Sequence, residues 1–256
     1  MRQYRDRKIR DGLIDARDNR MMDEIAARLL TSKSNCIEVG AHGGRQLQKI
    51  VAIAPRGRHI AFEPLPDMAR ELATRFPTVK VHEIALSDRE GLVNFNHCLS
   101  TPGWSGFKRW HPSQNQQAET IIVKTMPMDD VIPQNLRIRL MKIDVEGAEM
   151  QVLRGAVETI RRSRPYIIFE HGWNAADAHE TTPEMIFDFF NAQQYDICGL
   201  ANWLRGRKPF SRQRFSQMFR LHKAWNFIAQ PRKISLWRNP NNVIFSRILS
   251  RMSAKR

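Results

Sequence analysis

The sequence contains little cysteine, no long apolar run and, after Asp196, no acidic residue. Its three cysteines, Cys36, Cys98 and Cys198, lie far apart and form no CxxC pair, which argues against both a zinc cluster and a disulfide-stabilised secreted domain. No stretch approaches the length that spans a bilayer, and the charged segment 1–20 lacks the apolar core of a signal peptide. These absences predict a soluble, cytoplasmic protein.

Positive charge is concentrated towards the carboxyl terminus. No Asp or Glu follows Asp196, whereas residues 197–256 contain 14 of the 41 Lys and Arg residues, so the rest of the chain is close to neutral. Aromatic residues are interleaved with these charges between 203 and 238. The pattern predicts a peripheral contact between segment 203–238 and an anionic membrane, at the inner face of the membrane, or a lipid-linked glycan. The alternative is a charged face that only keeps the protein soluble.

A chain of 256 residues, 42% of them hydrophobic, is long enough to bury one sizeable core. Short β-rich runs alternate with amphipathic helical patterns, which is typical of βαβ units and an α/β fold with a mostly parallel sheet. The predicted strands cover residues 36–39, 59–62, 79–86, 139–143, 166–169, 195–200 and 243–246.

Two segments interrupt this alternation. Polar and apolar residues alternate at 92–97 and again at 120–126, on either side of a stretch rich in Gly, Ser, Pro and Gln. This pattern predicts a β-hairpin insertion over about 92–126 with a long functional loop. The basic stretch 203–238 would be a second insertion, between the last two strands. We therefore expect a charged extension over 1–20, a single domain over 21–249 and a basic tail over 250–256.

A glycine-rich turn follows the first strand, in the run EVGAHGG from Glu38 to Gly44. Glycines let the backbone pass close to a ligand, and the start of the next helix offers free N–H groups. A pyrophosphate-binding loop would require GxGxxG, but His42 occupies the second glycine position, which argues against NAD or FAD. The alternative is a tight turn between strand and helix that binds nothing.

Acidic residues also end the next two strands. Glu63 lies 25 residues after Glu38, near the offset at which an acid binds ribose hydroxyls in nucleotide-binding folds. The alternative interpretation is that Glu63 is an ordinary surface acid in a loop. Ser87 and Asp88 follow the third strand, where an adenine ring would lie. Asp88 could accept a hydrogen bond from the adenine amine or could only form an Asx turn.

The fourth strand runs directly into three carboxylates and a glycine, in the segment KIDVEGAE from Lys142 to Glu149. Ligands of open α/β sheets bind outside the carboxyl ends of the strands, and acids clustered there repel one another unless they meet a cation or a donor. Asp144 and Glu146 are therefore candidates for ligand contact. Glu149 could equally do no more than complement the positive end of the following helix.

Six ordered segments together resemble the FkbM family of methyltransferases. They are IEVGAHGG (37–44), AFEP (61–64), ALSDREG (85–91), MDDV (128–131), KIDVEGAEMQVLRGA (142–156) and IFEH (168–171). The resemblance spans about 35–200 and implies a Rossmann-like class I fold with a seven-stranded sheet and helices on both faces. It also implies S-adenosylmethionine as the cofactor and a hydroxyl of a sugar, a glycan or a related natural product as the acceptor. Glu38 and His42 stand where the family more often has Asp and Asn.

The resemblance assigns roles to the residues at the strand ends. The ExGxxG spacing is similar to the loop that holds the methionine end of the cofactor in class I methyltransferases. The cofactor-binding residues would be Glu38, Gly40, Ala41, Gly43, Glu63, Ser87, Asp88 and Asp144. Asp144 and Glu146 would orient the cofactor's ammonium group or the acceptor, and Glu170 with His171 would supply a base for the neutral hydroxyl. For His171 the alternative is a loop histidine that caps local backbone.

Three other hypotheses follow from the same residues. Asp144, Glu170 and His171 could bind a divalent cation such as Mg²⁺, which would lower the pKa of the acceptor hydroxyl. The basic, aromatic segment suggests a nucleic-acid methyltransferase, but the fourth strand lacks a Pro-Pro-aromatic turn and the chain lacks a Pro-Cys nucleophile, so nucleic acid is disfavoured as a partner. A module that binds anionic surfaces without catalysis is the third hypothesis.

Overall fold

A computed structural model of the protein describes residues 2–99, 103, 105–108 and 118–232, and for residues 2–11, 173 and 174 the backbone only. The helices are α1 (Arg2–Leu29), α2 (Arg45–Ile53), α3 (Pro66–Arg75), α4 (Met128–Val131), α5 (Glu149–Arg154), α6 (Val157–Ser163), α7 (Trp173–Ala178), α8 (Pro183–Ala192), α9 (Leu200–Leu204) and α10 (Arg212–Arg220). The strands are β1 (Cys36–Val39), β2 (His59–Phe62), β3 (Val79–His82), β4 (Ala85–Leu86), β5 (Gly91–Cys98), β6 (Ala118–Met126), β7 (Leu140–Ile143), β8 (Tyr166–Glu170), β9 (Tyr195–Gly199) and β10 (Asn226–Pro231).

Seven strands form the main sheet in the order β3-β2-β1-β7-β8-β10-β9. Strands β1, β2, β3, β7 and β8 pair in parallel, and β10 is antiparallel to both of its neighbours. This confirms the expected α/β, Rossmann-like class. Because the parallel strands share one direction, their carboxyl ends meet at one edge of the sheet, named here the carboxyl edge, and their starts meet at the opposite edge, named here the amino edge.

The central strands are short and buried along their whole length, as expected for a sheet covered on both faces. The sequences CIEV, HIAF and LMKI of β1, β2 and β7 contain only buried residues. On one face, Ile37, Met141 and Phe169 join the main core, and the carboxyl-terminal half of α1 packs on the other face through Met22 and Ile25. Glu38 and Lys142 are the charged exceptions, and they are paired in register on adjacent strands.

The expected hairpin is present as β5 and β6, which pair antiparallel in a second, three-stranded sheet. The prediction of one continuous strand over 79–86 is wrong, because the chain leaves the main sheet after His82. Ala85 and Leu86 then pair with Thr125 and Met126 of the hairpin. The backbone groups of Ala85 and Leu86 therefore form their hydrogen bonds with β6 of the hairpin and not with the main sheet.

The basic stretch 203–238 is not an insertion between the last two strands, because it contains one of them. Strand β10 lies between β8 and β9, and its residues Phe227, Ile228 and Ala229 are fully buried. The strand predicted over 243–246 and the tail over 250–256 lie outside the described residues. At the other end, residues 2–20 belong to α1, which is one continuous helix to Leu29. In the part of the chain that the structure describes, no helix combines the length and apolarity needed to cross a bilayer.

Candidate functional site

The turn after β1 fits closely between two neighbouring strand ends. Gly40 has a φ of +74°, and the backbone N–H groups of Gly40 and Ala41 both donate to the carbonyl oxygen of Phe62, at 3.0 and 3.1 Å. A Cβ on Gly40 would lie 1.9 Å from the carbonyl oxygen of Asp144. Only glycine fits here, so the glycine in this turn is required by the approach of β7 as well as by the backbone angle.

Glu63 fastens the β1 turn to the end of β2. Its side chain is 4% exposed; Oε2 accepts from the backbone N–H of His42 (2.8 Å) and Oε1 from that of Leu65 (3.0 Å). Burial raises the pKa of this carboxyl, and the two backbone hydrogen bonds oppose that rise. Each oxygen keeps a further lone pair that could accept a hydroxyl.

Lys142 and Asp144 form an ion pair at the end of β7. The Nζ of Lys142 lies 2.8 Å from Oδ2 of Asp144, with the lysine buried and the aspartate half-buried. Burial alone would lower the pKa of Lys142, but the charges of Asp144 and Glu38 outweigh it and raise that pKa. Glu38 is buried with Oε2 unpartnered, and burial raises its pKa to about 7. Sequence reasoning missed Lys142, although a lysine inside an apolar strand opposite an acid was a usable signal.

Glu149 holds the loop between β7 and α5 in place. Its Oε1 accepts from the backbone N–H groups of Val145 and Gly147, both at 3.1 Å, and the side chain is only 1% exposed. Burial raises its pKa to about 7. The loop is sharply bent, with positive φ at Glu146 (54°) and Gly147 (99°). Glu149 is therefore more than an acid at a helix start, because it satisfies two backbone donors of the strained loop.

Glu170 and His171 are consecutive residues, and the structure places them in different surroundings. Glu170 is half-buried beside the other acids, and burial first, then the charges of Asp144 and Glu146, raise its pKa well above the ordinary value. His171 is fully buried, its ring stacks on Phe219 (centroids 4.6 Å apart), and neither ring nitrogen has a hydrogen-bond partner among the described residues. Burial lowers the pKa of His171 to about 4. The structure thus brings Glu170, and not His171, close to Asp144, Glu146 and Glu149. These four acids are named here the acid cluster.

Ser87 and Asp88 lie at the end of β4, in the second sheet. Ser87 is buried, and its N–H donates to the carbonyl oxygen of Met126 (3.0 Å). A Cβ on Gly155 would lie 2.0 Å from the carbonyl oxygen of Ser87. Asp88 is exposed, with Oδ1 3.4 Å from the Ser87 hydroxyl. No contact in the described part of the chain joins Asp88 to the acid cluster, and its adenine role stays a prediction.

Part of the hairpin loop folds back towards the acid cluster. A Cβ on Gly103 would lie 3.4 Å from Nε2 of His42, and one on Gly106 would lie 3.4 Å from Cβ of Glu146. The Asn96 side chain holds this segment by donating to the carbonyl oxygen of Phe107 (3.2 Å). Gly103 and Gly106 therefore lie close to the β1 turn and the β7 loop. This placement could not be predicted from the sequence, because nothing in a polar loop indicates where it folds.

Helix α1 also packs beside the carboxyl edge of the sheet. The carboxylate of Asp15 accepts from Nε1 of Trp225 (3.2 Å), and the buried carboxylate of Asp18 accepts from the side-chain amide of Asn226 (3.3 Å). Asn226 is paired with Glu170 in the sheet. The charged residues of the predicted extension thus anchor α1 beside Glu170.

The divalent-cation hypothesis gains no support. Among the described residues, no group of three or more His, Cys, Asp or Glu side chains is arranged to hold a metal ion. Of its three proposed ligands, His171 lies against Phe219 and Phe215, away from the acids.

Comparisons with known proteins relate this chain to methyltransferases. Residues 38–197 match the model of the methyltransferase FkbM domain. The chain is 27% identical over 147 residues to the 2-O-methyltransferase NoeI of Sinorhizobium fredii, covering 50% of this chain and 59% of that protein. It is 30% identical over 178 residues to the AMB antimetabolite synthetase AmbE of Pseudomonas aeruginosa, covering 52% of this chain and 8% of that protein.

The chain therefore spans only part of the curated relatives that it matches. Among solved structures, a methyltransferase FkbM from Methylobacillus flagellatus superimposes with a TM-score of 0.48 at 15% identity, covering 78% of this chain and 44% of that one. Since the family model covers more than half of the sequence, the chain belongs to the FkbM methyltransferase domain family.

Proposed function

We propose that the protein transfers a methyl group from S-adenosylmethionine to a hydroxyl of a sugar, a glycan or a related natural product. The observation that supports this most is the placement of Glu63, Asp144 and Glu170 at the carboxyl edge, around the glycine turn after β1. This edge is where ligands of parallel α/β sheets bind.

The residues at this edge fit the cofactor. When bound, S-adenosylmethionine supplies a methyl group activated by a positively charged sulfonium. Glu63 keeps one lone pair on each oxygen beyond its bonds to the N–H groups of His42 and Leu65, which suits two ribose hydroxyls. Asp144 is half-buried and bound to Lys142 through Oδ2, so Oδ1 could accept from an ammonium group. We assign the turn at Gly40, Ala41 and His42 to the methionine end.

Glu170 is our candidate for the general base. A neutral hydroxyl is a weak nucleophile, so its proton must pass to a nearby acceptor as the new bond forms. An ordinary glutamate is a poor acceptor at neutral pH, but burial and the neighbouring acids raise the pKa of Glu170. The proton would move from the acceptor hydroxyl to a Glu170 oxygen. His171 would not take part, because its ring is enclosed by phenylalanines.

A polar, hydroxyl-bearing acceptor suits the composition of this edge. Asp144, Glu146 and Glu170 are half-buried carboxylates that can accept hydrogen bonds from several hydroxyls. The description of NoeI as a 2-O-methyltransferase supports oxygen as the acceptor atom.

A transfer assay tests this proposal. Purified protein is incubated with methyl-labelled S-adenosylmethionine and with separate polysaccharide, small-molecule and RNA fractions, and labelled products are analysed for methyl ethers. We expect label in a hydroxyl-bearing carbohydrate or small-molecule fraction. Glu170→Gln should lower kcat at least about 100-fold without changing cofactor affinity, whereas Glu83→Gln, an exposed acid that follows β3, should match the parent. Cofactor binding without transfer to any fraction, or transfer to RNA alone, would overturn the proposal.

A further inference from the structure

The loops at the amino edge, opposite the candidate site, form a cationic surface. Segments 30–35, 54–58, 132–139, 163–165 and 205–211 contain no Asp or Glu. Their Lys and Arg residues are Lys33, Arg56, Arg58, Arg137, Arg139, Arg164, Arg205, Arg207 and Lys208. None of these forms an ion pair with a residue that the structure describes, and all except the half-buried Arg164 are exposed.

These segments are connected to each other, so the charges share one surface. The Asn35 side chain accepts from the N–H of Arg58 (2.8 Å) and donates to the carbonyl oxygen of Arg137 (2.9 Å). The segment after α9 reaches the same edge, because Trp203 packs on Tyr166, the first residue of β8, with ring centroids 5.9 Å apart. The cationic surface therefore includes Lys or Arg residues from four strand entries as well as the basic segment that was expected from the sequence.

A neighbouring acid does not neutralise this surface. Asp196, near the start of β9, is already paired with Arg232 (2.7 Å). The chain continues from Arg232 into residues 233–256, which add six Lys or Arg residues and no acid. The other edge is lined by acids, among them Asp144, Glu146 and Glu170, although Asp144 is paired with Lys142. The two edges therefore differ in which charged residues predominate.

We propose that this amino edge docks on an anionic phospholipid bilayer. Basic residues close to such a surface are attracted to acidic headgroups, and spreading them over several loops suits an extended plane of charge. A nucleic acid fits less well, because single strands need exposed aromatic faces for stacking. At this edge, Arg139 lies over the ring of Tyr166 (5.0 Å) and Arg164 over that of Tyr195 (4.5 Å), so these faces are occupied.

Docking in this orientation has a consequence for access to the site. The carboxyl edge lies at the opposite end of the parallel strands and would then face away from the bilayer. An acceptor would then reach the candidate site from the aqueous side. This inference does not depend on the proposed methyl transfer, since it rests on the charges of the opposite edge.

The test is co-sedimentation of the full chain with vesicles of phosphatidylcholine alone or mixed with an equal amount of phosphatidylglycerol. The edge variant replaces Lys33, Arg58, Arg205, Arg207 and Lys208 by Gln. The matched control replaces five exposed cations elsewhere by Gln, namely Lys49, Lys80, Arg89, Arg154 and Lys223, so both variants lose the same net charge.

We expect the parent and the control to bind the mixed vesicles, and the edge variant to bind at least about tenfold more weakly, with thermal unfolding of both variants close to the parent. Equal losses in the two variants would mean that net charge alone drives binding, and would overturn the proposal. The proposal would also be overturned if the parent did not bind the mixed vesicles. It would be overturned as well if the parent bound single-stranded RNA more tightly than the vesicles and this binding required the same five residues.

Discussion

Lys142 is a buried cation that faces Glu38, Asp144 and Glu170, and its charge opposes the rise in the pKa of each of the two glutamates. Lys142→Met should therefore move the acidic limb of the methyl-transfer pH profile to higher pH, because the pKa of Glu170 rises further. It should also lower the free energy of unfolding by about 2–3 kcal/mol, since Asp144 loses its partner.

Lys142→Arg keeps the charge and should restore most of the pH profile. The control is Lys124→Met, which breaks an exposed pair with Glu90 and should cost no more than about 0.5 kcal/mol. An unchanged acidic limb in Lys142→Met would show that Lys142 does not act on the base.

The raised pKa of Glu149 should make the free energy of unfolding depend on pH. Burial raises its pKa in the folded state to about 7 from the ordinary 4.5, so between these values the folded protein holds a proton that the unfolded chain has lost. This contribution to stability is full below pH 4.5, falls as the pH rises through 7, and amounts to about 3 kcal/mol. Glu149→Gln keeps an oxygen for the N–H groups of Val145 and Gly147 and removes the titration.

Urea unfolding at pH 5 and pH 8 measures this effect. The loss of stability between the two values should be smaller in Glu149→Gln than in the parent by about 2–3 kcal/mol. Glu149→Ala should be less stable than the parent at pH 5, because the two backbone donors lose their acceptor. Identical pH profiles of the parent and Glu149→Gln would contradict this account of the loop.

Much of the candidate site could be predicted at the residue scale, but the environment of each side chain could not. Parallel strands bring their carboxyl ends together, so the sequence alone placed Glu38, Glu63, Asp144 and Glu170 at one edge. Whether a side chain at a strand end faces a crevice or the core depends on which helix covers it. Helix α10 covers His171 with Phe215 and Phe219, a contact across more than 40 residues of sequence.

At the scale of elements, the turn between β1 and α2 connects the ends of β2 and β7. Gly40→Ala should distort it, because the new Cβ meets the carbonyl oxygen of Asp144 and the φ of +74° is unfavourable for alanine. We expect a loss of about 3 kcal/mol in unfolding free energy and a weaker affinity for S-adenosylmethionine. Gly43→Ala, in the same turn, adds a Cβ with nothing within 4 Å and should leave the unfolding free energy near the parent value. Equal effects of the two substitutions would refute the steric explanation.

The elements themselves show where periodicity predicts and where it fails. Apolar strands bounded by Gly and Pro depend on local sequence signals. The same holds for the N-cap at Thr182, whose hydroxyl accepts from the N–H of Met185. The division of 79–86 between two sheets is set by pairing with β6, which is distant in sequence. Strand β10 was hidden by the basic residues on both sides of it, although its own residues NFIAQ are mostly buried.

At the scale of the molecule, the parallel sheet separates two chemical surfaces. Asp144, Glu146, Glu170 and the glycine turn lie at the carboxyl edge, and arginines that form no ion pair with any described residue lie at the amino edge. Composition revealed the excess of positive charge but suggested that segment 203–238 carried it, because only the folded topology shows that the entries to β1, β2, β7 and β8 lie side by side. We therefore expect substitutions at opposite edges to alter the proposed methyl transfer and the proposed docking independently.

The central claim is that the carboxyl edge binds S-adenosylmethionine, and calorimetric titration of the cofactor tests it most directly. The parent, Glu63→Ala and Glu83→Ala are compared, with circular dichroism as the check that all three are folded. The account predicts that the parent and Glu83→Ala bind with equal affinity and that Glu63→Ala binds at least about tenfold more weakly, since the ribose hydroxyls lose their acceptor. Equal affinity of Glu63→Ala and the parent, or no binding by the parent, would contradict it.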